Sequence, residues 1–375
     1  MRIAIVYRGT HSSSVIEAWR RSFAVGAQNQ DYMNPHSICR QIVLVSRPHG
    51  RPQTHHFRLE YDVMPDLPPG GVLLRVLYVS LDHDALAGKG ERTSSAMPIG
   101  IGQVMEGAGV SEVIASDHSG FATGDVVLSS TGWRTHMASD GTGLRKLDLA
   151  LGPVTTALGV LGSPGFAAYS GIMLIGKPKN GETVVVGDAS GPVGSLVGQL
   201  AKMAGARAVG IAEGLEACDY IQGELGFDVA IDHCMPGLAE RLARACARGI
   251  DIYFENVASG SIWDAVLPLL NDFARVPVCG WSWHYRGGGA AERPGVLAQT
   301  MRVVACRSLI LRGFVNDEFV DAHYLPFLRT VSAGIADGRI RYREDITEGL
   351  ENAPEAFLEM LEGRNFGKAL VRVAP

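Results

Sequence analysis

The spacing of hydrophobic and polar residues along the chain changes near Val154. Before that point, short apolar runs alternate with turns that are rich in proline and glycine. Several short strands at such a spacing are typical of a small β-rich, barrel-like domain. The strands predicted in this part cover residues 41–45, 71–79, 102–110 and 124–128.

After Val154, apolar runs that suit strands alternate with segments that suit helices. Predicted strands cover 183–187, 208–212, 251–254 and 274–280, and a helix over 195–204 joins the first two. Strands that alternate with helices indicate βαβ units and a parallel sheet. A helix over about 323–334 and a last strand over 368–373 follow, and we expect that strand to rejoin the first domain.

Residues 1–40 differ from the rest of the chain and suggest no function. One short apolar run, Ile3-Ala4-Ile5-Val6-Tyr7, is followed by a polar stretch. Two interpretations stay open: a mobile leader, or a true start at Met33 preceded by residues that are not native.

The charge balance narrows the classes of partner. Among 375 residues, 34 Lys and Arg stand against 39 Asp and Glu, a formal net charge of −5. Grooves for nucleic acid and surfaces for anionic membranes need clustered positive charge, so neither partner is expected. The apolar share of 46% suits a globular protein with a large core and excludes wholesale disorder.

The six cysteines and the hydropathy of the chain indicate a protein of the reducing cytoplasm. No two cysteines form a Cys-x-x-Cys pair, which excludes a zinc ribbon and a thioredoxin motif. A chain of this length needs no disulfides to fold, so free thiols are expected. No apolar run approaches the ~18 residues of a membrane helix, and the Arg20-Arg21 pair lacks the apolar region of an export signal.

A glycine-rich turn follows the predicted strand 183–187. Its sequence, Ala189-Ser190-Gly191-Pro192-Val193-Gly194, is the dinucleotide fingerprint with alanine in place of the first glycine. Such a turn exposes backbone N–H groups and a helix N-terminus to a pyrophosphate. The alternative is a turn with a structural role alone.

Glu213 follows the next predicted strand directly. It lies near the ~20-residue distance at which an acid accepts a hydrogen bond from the ribose 2′-OH of a dinucleotide. A carboxylate there repels a 2′-phosphate, so this residue by itself favours NAD(H) over NADP(H). A solvated loop glutamate is the alternative.

With these features, the chain resembles the zinc-independent medium-chain dehydrogenases/reductases, in the group of leukotriene-hydroxydehydrogenases, prostaglandin reductases and 2-alkenal or curcumin reductases. The resemblance implies an α/β fold in which a doubly wound Rossmann sheet (residues 161–314) joins a β-rich GroES-like barrel domain (41–160 and 315–375). It extends from about Gln41 to Val373. The segments that carry it include 47–52, 132–136, 158–165, 181–186, 253–257, 277–280, 311–314 and 363–368.

The zinc-dependent branch of this family does not fit the residues. Catalytic zinc needs three protein ligands, and the segment Gly102-Gln103-Val104-Met105-Glu106 contains no Gly-His-Glu sequence. We therefore expect no metal, and we expect His83 and Glu106 to be structural or pocket-lining residues.

The resemblance implies a reaction and a set of site residues. Hydride passes from NADPH or NADH to the β-carbon of an α,β-unsaturated ketone or aldehyde. Tyr285 is the candidate donor to the reacting carbonyl, although it could contact the cofactor only, and water could supply the proton. The residues implied in cofactor binding are Gly191, Pro192, Val193, Gly194, Glu213, His233, Asn256, Cys279, Gly280, Tyr285, Phe314, Val315, Asn316 and Asn365.

The chain departs from the family pattern where NADPH specificity is set. Ala217 replaces the lysine that usually binds the 2′-phosphate, His233 replaces a tyrosine, and Glu213 replaces a glycine. These changes predict weakened NADPH binding and a possible shift to NADH, although relatives favour NADPH.

The substrate side also departs from the pattern. The sequence Asp82-His83-Asp84-Ala85-Leu86 lacks the family's tyrosine and arginine, and Trp281 and Trp283 stand where smaller residues are usual. The native substrate is therefore not predicted. A quinone reductase and a catalytically weak dinucleotide-binding protein are the alternative functions; a homodimer, and a substrate lid at 287–291, are further hypotheses.

Overall fold

A computed structural model describes residues 38–48, 50–83, 85–86, 99–257, 259–280 and 296–374. Most of the predicted leader, Tyr285, the two tryptophans and the loop 287–291 lie outside these residues. The first described strand begins at Ile38, within the last three residues of the predicted leader. No described helix is long and apolar enough to cross a membrane.

The first described region is built mainly on antiparallel strands. Its strands are β1 (Ile38–Leu44), β2 (Phe57–Val63), β3 (Val72–Ser80), β4 (Gly109–Ser116), β5 (Val126–Ser129), β6 (His136–Ser139), β7 (Arg145–Lys146), β14 (Glu344–Glu348) and β15 (Lys368–Arg372). β1 and β2 pair in a two-stranded sheet, and a seven-stranded sheet has the order β14-β15-β3-β4-β5-β7 with β6 on β3. Within the second sheet, β14 and β15 are the one parallel pair among the described strands. The predicted return of the last strand is confirmed, since β15 pairs antiparallel with β3.

The middle of the chain forms a six-stranded parallel sheet. Its strands are β8 (Thr183–Val186), β9 (Arg207–Ala212), β10 (Val229–Asp232), β11 (Ile250–Phe254), β12 (Leu270–Val278) and β13 (Ile310–Gly313). Their order in the sheet is β10-β9-β8-β11-β12-β13. The chain moves outward from β8 in one direction to β10 and then returns to start again at β11. This is the doubly wound Rossmann order, so the predicted fold class is confirmed.

Helices connect and cover the strands. They are α1 (Ser163–Tyr169), α2 (Gly194–Met203), α3 (Leu215–Gly223), α4 (Leu238–Ala245), α5 (Gly260–Val266), α6 (Val296–Cys306), α7 (Val320–Ala336) and α8 (Ala353–Leu361). Val184, Val185 and Val186 of β8 are fully buried. Because helices cover both faces of a parallel sheet, its central strand is apolar throughout, as the sequence pattern required.

The prediction of a strand over 102–110 is wrong for most of that segment. β4 begins only at Gly109, and the preceding segment joins β1 through a single bridge between Val43 and Val104. Gly102 has a φ of +80°, and a Cβ at Gly107 would lie 2.8 Å from the carbonyl oxygen of Ser80. Because the backbone turns at Gly102 and lies directly against β3 at Gly107, the segment cannot form a regular ladder of strand hydrogen bonds.

Candidate functional site

A cleft with about 970 Å³ of open space, which includes solvent outside its mouth, lies between the carboxyl edge of the parallel sheet and the antiparallel region. The sheet contributes the turn after β8 and the residues that follow β9 and β10. The opposite wall consists of Leu81, Asp82 and His83 after β3 and of residues from Met360 to Ala369. In doubly wound sheets, ligands bind at this edge, where the strand order reverses.

The turn after β8 is shaped by its glycines. A Cβ at Gly191 would lie 2.5 Å from Asp188 Oδ2, and a Cβ at Gly194 would overlap the Asp188 carbonyl oxygen. α2 begins at Gly194, and the first N–H groups of a helix have no carbonyl partner within it. The turn thus offers bare backbone and a helix N-terminus to the cleft, which fits a pyrophosphate.

Asp188 was not predicted as a site residue. It lines the cleft within this turn and has a φ of +42°, the left-handed conformation that aspartate tolerates better than most residues. The sequence did contain a signal for this role, because Asp188 directly follows a predicted strand and stands next to the dinucleotide fingerprint.

Glu213 and His233, which follow β9 and β10, line the cleft together with Ala217 of α3. The two loops are joined by Asp232, whose Oδ1 accepts hydrogen bonds from the N–H of Gly214 at 3.0 Å and of Cys234 at 2.9 Å. Burial by itself would raise the pKa of Asp232, but these hydrogen bonds and the neighbouring cations hold it below its usual range. The loops are therefore fixed relative to each other before any ligand binds.

Asn256, Cys279 and Gly280 follow the neighbouring strands β11 and β12. Glu255 fixes this region: its Oε1 accepts from the Val257 N–H at 2.8 Å and its Oε2 from the Tyr253 hydroxyl at 3.2 Å, in a buried environment. Burial beside Glu255 raises the pKa of the Tyr253 phenol well above its usual value. The three site residues are near one another, but they are not among the residues that line the cleft.

Phe314, Val315 and Asn316 follow β13 and also lie outside the cleft lining. The Asn316 side-chain amide donates to the carbonyl oxygen and to the hydroxyl of Ser163, both at 3.0 Å. Its Oδ1 atom is buried and has no hydrogen-bond partner in the described part of the chain. A buried carbonyl in this state is an acceptor for an amide N–H of a ligand.

Asn365 lines the cleft on its opposite wall, where its side-chain amide donates to the Gly367 carbonyl oxygen at 3.2 Å. The structure thus brings together Gly191, Pro192, Glu213, His233 and Asn365 in one cleft. Val193 and Gly194 belong to the same turn, and Tyr285 lies outside the described residues.

An ion pair at the cleft was also missed by sequence reasoning. Lys368 Nζ donates to Asp82 Oδ1 at 2.7 Å and to the Leu81 carbonyl oxygen at 2.6 Å, and the Ser80 hydroxyl donates to Asp82 Oδ2 at 2.6 Å. Burial would raise the pKa of Asp82, but the charge and hydrogen bond of Lys368 hold it below its usual range. His83 lines the cleft beside this pair.

Among the described residues, no group of three or more His, Cys, Asp and Glu side chains is placed to hold a metal ion. His83 is a cleft-lining residue, one of the two roles expected for it.

The chain matches two known protein families. The N-terminal domain of oxidoreductase matches residues 40–147, and the family described as zinc-binding dehydrogenase matches residues 192–313. The chain is 45% identical over 335 residues to the NADPH-dependent curcumin reductase of Escherichia coli (strain K12), covering 89% of this chain and 97% of the relative. It is 37% identical over 327 residues to prostaglandin reductase 1 of Rattus norvegicus, covering 86% of this chain and 95% of the relative.

The fold is also that of a solved relative. The crystal structure of CurA in complex with NADPH from Vibrio vulnificus superimposes with a TM-score of 0.85 at 43% sequence identity, covering 90% of this chain and 99% of that one.

Proposed function

The chain belongs to the medium-chain dehydrogenase/reductase family, in the group of the curcumin and prostaglandin reductases, and we propose that it reduces the carbon–carbon double bond of α,β-unsaturated ketones or aldehydes with NADPH. One observation carries this proposal: the glycine turn, the ends of β9 and β10, and Asn365 line one cleft. A dinucleotide in that cleft would extend along the carboxyl edge of the sheet toward β11, β12 and β13.

The proposed cofactor-binding residues follow the order of the strands. The turn 191–194 would hold the pyrophosphate, Glu213 and His233 the adenosine ribose, and Asn365 would close over the cofactor from the opposite wall. Asn256, Cys279, Gly280, Tyr285, Phe314, Val315 and Asn316 would flank the nicotinamide half. Support comes from the buried Asn316 Oδ1, an acceptor suited to the carboxamide of nicotinamide.

Reduced nicotinamide supplies the hydride that the β-carbon accepts. The chain contributes orientation: the Glu255 hydrogen bonds fix the end of β11, and the Ser163 hydrogen bonds fix Asn316. Charge that develops on the carbonyl oxygen needs a donor, and the α-carbon needs a proton. We propose Tyr285 for this donation, with water as the alternative.

The experiment that tests the activity is turnover with NADPH on matched enones, enals and quinones, with the saturated product identified by mass spectrometry. Formation of the saturated ketone or aldehyde supports the proposal. Turnover of quinones only would favour a quinone reductase, and cofactor binding without any turnover would favour a weak dinucleotide-binding protein; either result overturns it.

We also propose a homodimer formed through β13. This strand ends the parallel sheet in the described region and all four of its residues are exposed, with Ile310 at 53%. An edge strand with exposed apolar side chains can pair with a strand of another chain. Light scattering of the wild type and of Ile310→Lys tests this, since the dimer should become a monomer in the variant; a monomeric wild type would contradict it.

We also propose a division into two domains and a cytoplasmic location for the protein. We propose a GroES-like domain over 41–160 and 315–375 and a Rossmann domain over 161–314. The change from the mainly antiparallel sheet to the parallel sheet supports these boundaries. A cytoplasmic location is supported by the six free cysteines, of which Cys234 and Cys306 are exposed. Intact mass before and after thiol labelling of protein isolated without reductant would reveal disulfides, which would contradict a reducing compartment.

A further inference from the structure

We propose that Gln199 of α2 is a positioning residue of the reductase: its side-chain amide fixes the distance between the glycine turn on one side of the cleft and the wall that carries Asn365 on the other. This inference rests on the proposed function, because it assumes that the cleft takes a nicotinamide dinucleotide. It concerns a residue outside the proposed cofactor-binding set, since Gln199 is not among the residues that line the cleft.

The Gln199 side chain is buried, and both of its polar atoms are bound to backbone groups. Only 3% of the residue is exposed. Its Nε2 donates to the Arg341 carbonyl oxygen at 2.9 Å, and its Oε1 accepts from the Arg341 N–H at 2.7 Å. The same Nε2 donates to the Ser195 carbonyl oxygen at 2.9 Å, one helical turn earlier in α2. The amide thus joins α2 to a segment that leads into β14.

This arrangement requires the chemistry of a side-chain amide. A primary amide presents a donor and an acceptor side by side, so it binds the N–H and the C=O of one residue as a neighbouring β-strand would. A carboxylate has no donor, and a hydrocarbon side chain has neither group. Because polar groups beside a buried side chain are costly to leave unpaired, the Arg341 backbone stays close to Gln199.

On one side, Gln199 is joined to the glycine turn. Ser195 is the second residue of α2, and its N–H donates to the Gly191 carbonyl oxygen at 3.0 Å. Gln199 binds the carbonyl oxygen of the same Ser195. The side chain is therefore fixed to the first turn of α2, whose N–H groups are available to a pyrophosphate.

On the other side, the residues after Arg341 lie against the opposite wall of the cleft. The Arg343 carbonyl oxygen accepts from the Lys368 N–H at 3.0 Å, and a Cβ at Gly367 would overlap that oxygen. The Gly367 carbonyl oxygen in turn accepts from the Asn365 side-chain amide at 3.2 Å. A continuous series of contacts thus leads to the residue that is proposed to close over the cofactor.

The proposed reaction needs the two walls at one separation. The turn 191–194 belongs to the parallel-sheet region, whereas Asn365 and the cleft-lining residues 81–83 belong to the mainly antiparallel region. Hydride transfer depends on the distance between the donor and acceptor carbons, and a misplacement of about 1 Å can cost about 10²-fold in rate. Loss of the Gln199 contacts should therefore lower kcat and also weaken the binding of both nucleotides.

The first test is Gln199→Met, which keeps the length of the side chain and removes its hydrogen bonds to Ser195 and Arg341. We expect kcat with NADPH and an enone to fall by about tenfold, with a smaller change in the KM of the enone. The dissociation constants of NADPH and NADH should rise by the same factor, because these contacts do not involve the 2′-phosphate. Steady-state kinetics at saturating NADPH and fluorescence titration measure these quantities.

The matched control is Asn271→Leu. The Asn271 side-chain amide also donates to a backbone carbonyl oxygen, that of Arg248 at 3.1 Å, and to Asp251 Oδ1 at 2.8 Å. It lies at the start of β12, at the amino edge of the sheet and away from the cleft. This variant should lose stability in chemical denaturation but keep kcat and both dissociation constants. An equal loss of kcat in Asn271→Leu and Gln199→Met would assign the effect to general destabilisation and overturn the proposal.

A second variant keeps the proposal testable if Gln199→Met does not fold. In Gln199→Glu, a carboxylate would face the carbonyl oxygens of Ser195 and Arg341, whereas the protonated acid again offers one donor and one acceptor to the Arg341 backbone. Burial raises the pKa of a carboxyl group, so activity relative to the wild type should recover as the pH falls from about 8.5 to about 6. A loss of activity that stays constant across this range would contradict the assigned role.

A double-mutant cycle with Asn365→Ala tests whether Gln199 acts through the opposite wall of the cleft. If it does, Gln199→Met should weaken NADPH binding to the wild type but change it little in the Asn365→Ala background. Additive effects would refute the role of Gln199 while the enone reductase stands. If neither nucleotide binds to the wild type, the proposed function falls and this inference falls with it.

Discussion

Lys368 Nζ lies 2.7 Å from Asp82 Oδ1 and joins the first residue of β15 to the segment that follows β3 at the wall of the cleft. The lysine side chain is 5% exposed, whereas that of the aspartate is 34% exposed. A buried ammonium is tolerated only where an acceptor set surrounds it, and the Leu81 carbonyl oxygen completes that set.

Lys368→Met is expected to reduce the free energy of unfolding by about 2 kcal/mol. Breaking a fully buried pair costs about 3–5 kcal/mol, and the partial exposure of Asp82 lets water compensate for part of that loss. Chemical denaturation measures the change. Arg364→Met, which removes an exposed pair with Glu362, is the control and should change stability by less than about 0.5 kcal/mol; an equal loss in both variants would contradict the special role of the buried lysine.

Stability should decline in acid partly because of Asp82. Its pKa in the folded protein lies below the unfolded value of about 4, so its contribution is fully present above about pH 4. That contribution is lost as the pH falls through the lower folded value. Asp82→Asn should therefore be less stable than the wild type near neutrality, and the difference should shrink toward pH 3 in thermal unfolding curves. A constant difference across this range would exclude the ion pair as its source.

Gly194→Ala is expected to weaken binding of both NADPH and NADH by at least about tenfold and to destabilise the fold by about 1–3 kcal/mol. The reason is steric, since the new methyl group would overlap the backbone carbonyl of Asp188 and push α2 away from the turn. Fluorescence titration with both nucleotides measures the effect. Gly223→Ala is the matched control, because a Cβ there meets no atom within 4 Å, and it should leave binding unchanged.

Local sequence patterns were sufficient for the parallel sheet and its glycine turn. The apolar run 183–187 and the spacing of Gly191 and Gly194 each constrain a few consecutive residues, and β8, the turn and α2 form where they predicted. Neighbouring residues alone determine whether a strand is followed by a tight turn and a helix. For that reason the fold class could be read without any knowledge of distant contacts.

Contacts between distant residues could not be read in this way. Asp82 and Lys368 are 286 positions apart, and nothing near either residue indicates the other. The segment 102–107 was predicted as part of a strand, but Gly107 lies against β3 and the regular ladder starts only at β4. Such cases depend on tertiary packing, which overrides local preference.

Ala217→Lys is expected to raise the affinity for NADPH by about tenfold and to leave NADH binding unchanged. Ala217 lines the cleft beside Glu213 and His233, and a lysine stem can lie along apolar surface while its ammonium reaches the cleft. A unit charge a few ångströms from a phosphate at the protein surface is worth a few kcal/mol at most, of which desolvation removes a part. Ala217→Met matches the length without the charge and should not raise NADPH affinity; an equal gain in both would assign the effect to packing.

Arg343 connects the segment of Asn365 to helix α3 of the parallel-sheet region. Its guanidinium lies 4.6 Å from the ring centre of Tyr220 and 6.0 Å from that of Phe366, and it pairs with Glu224 on the surface next to α3. Its carbonyl oxygen accepts from the Lys368 N–H at 3.0 Å. The side chain is thus a bridge between α3 and the wall of the cleft that carries Asn365.

Arg343→Ala should accelerate NADPH dissociation by about tenfold, because loss of the ring contacts and the ion pair removes about 1–2 kcal/mol that holds the Asn365–Phe366 segment in place. Stopped-flow fluorescence measures the rate directly. Arg339→Ala, which breaks an exposed pair with Asp337 nearby in the chain, should leave the rate unchanged. Should Arg343→Ala release NADPH at the wild-type rate, the segment must be held over the cleft by the Lys368 contacts alone, and the Lys368→Met variant would then show the faster release instead.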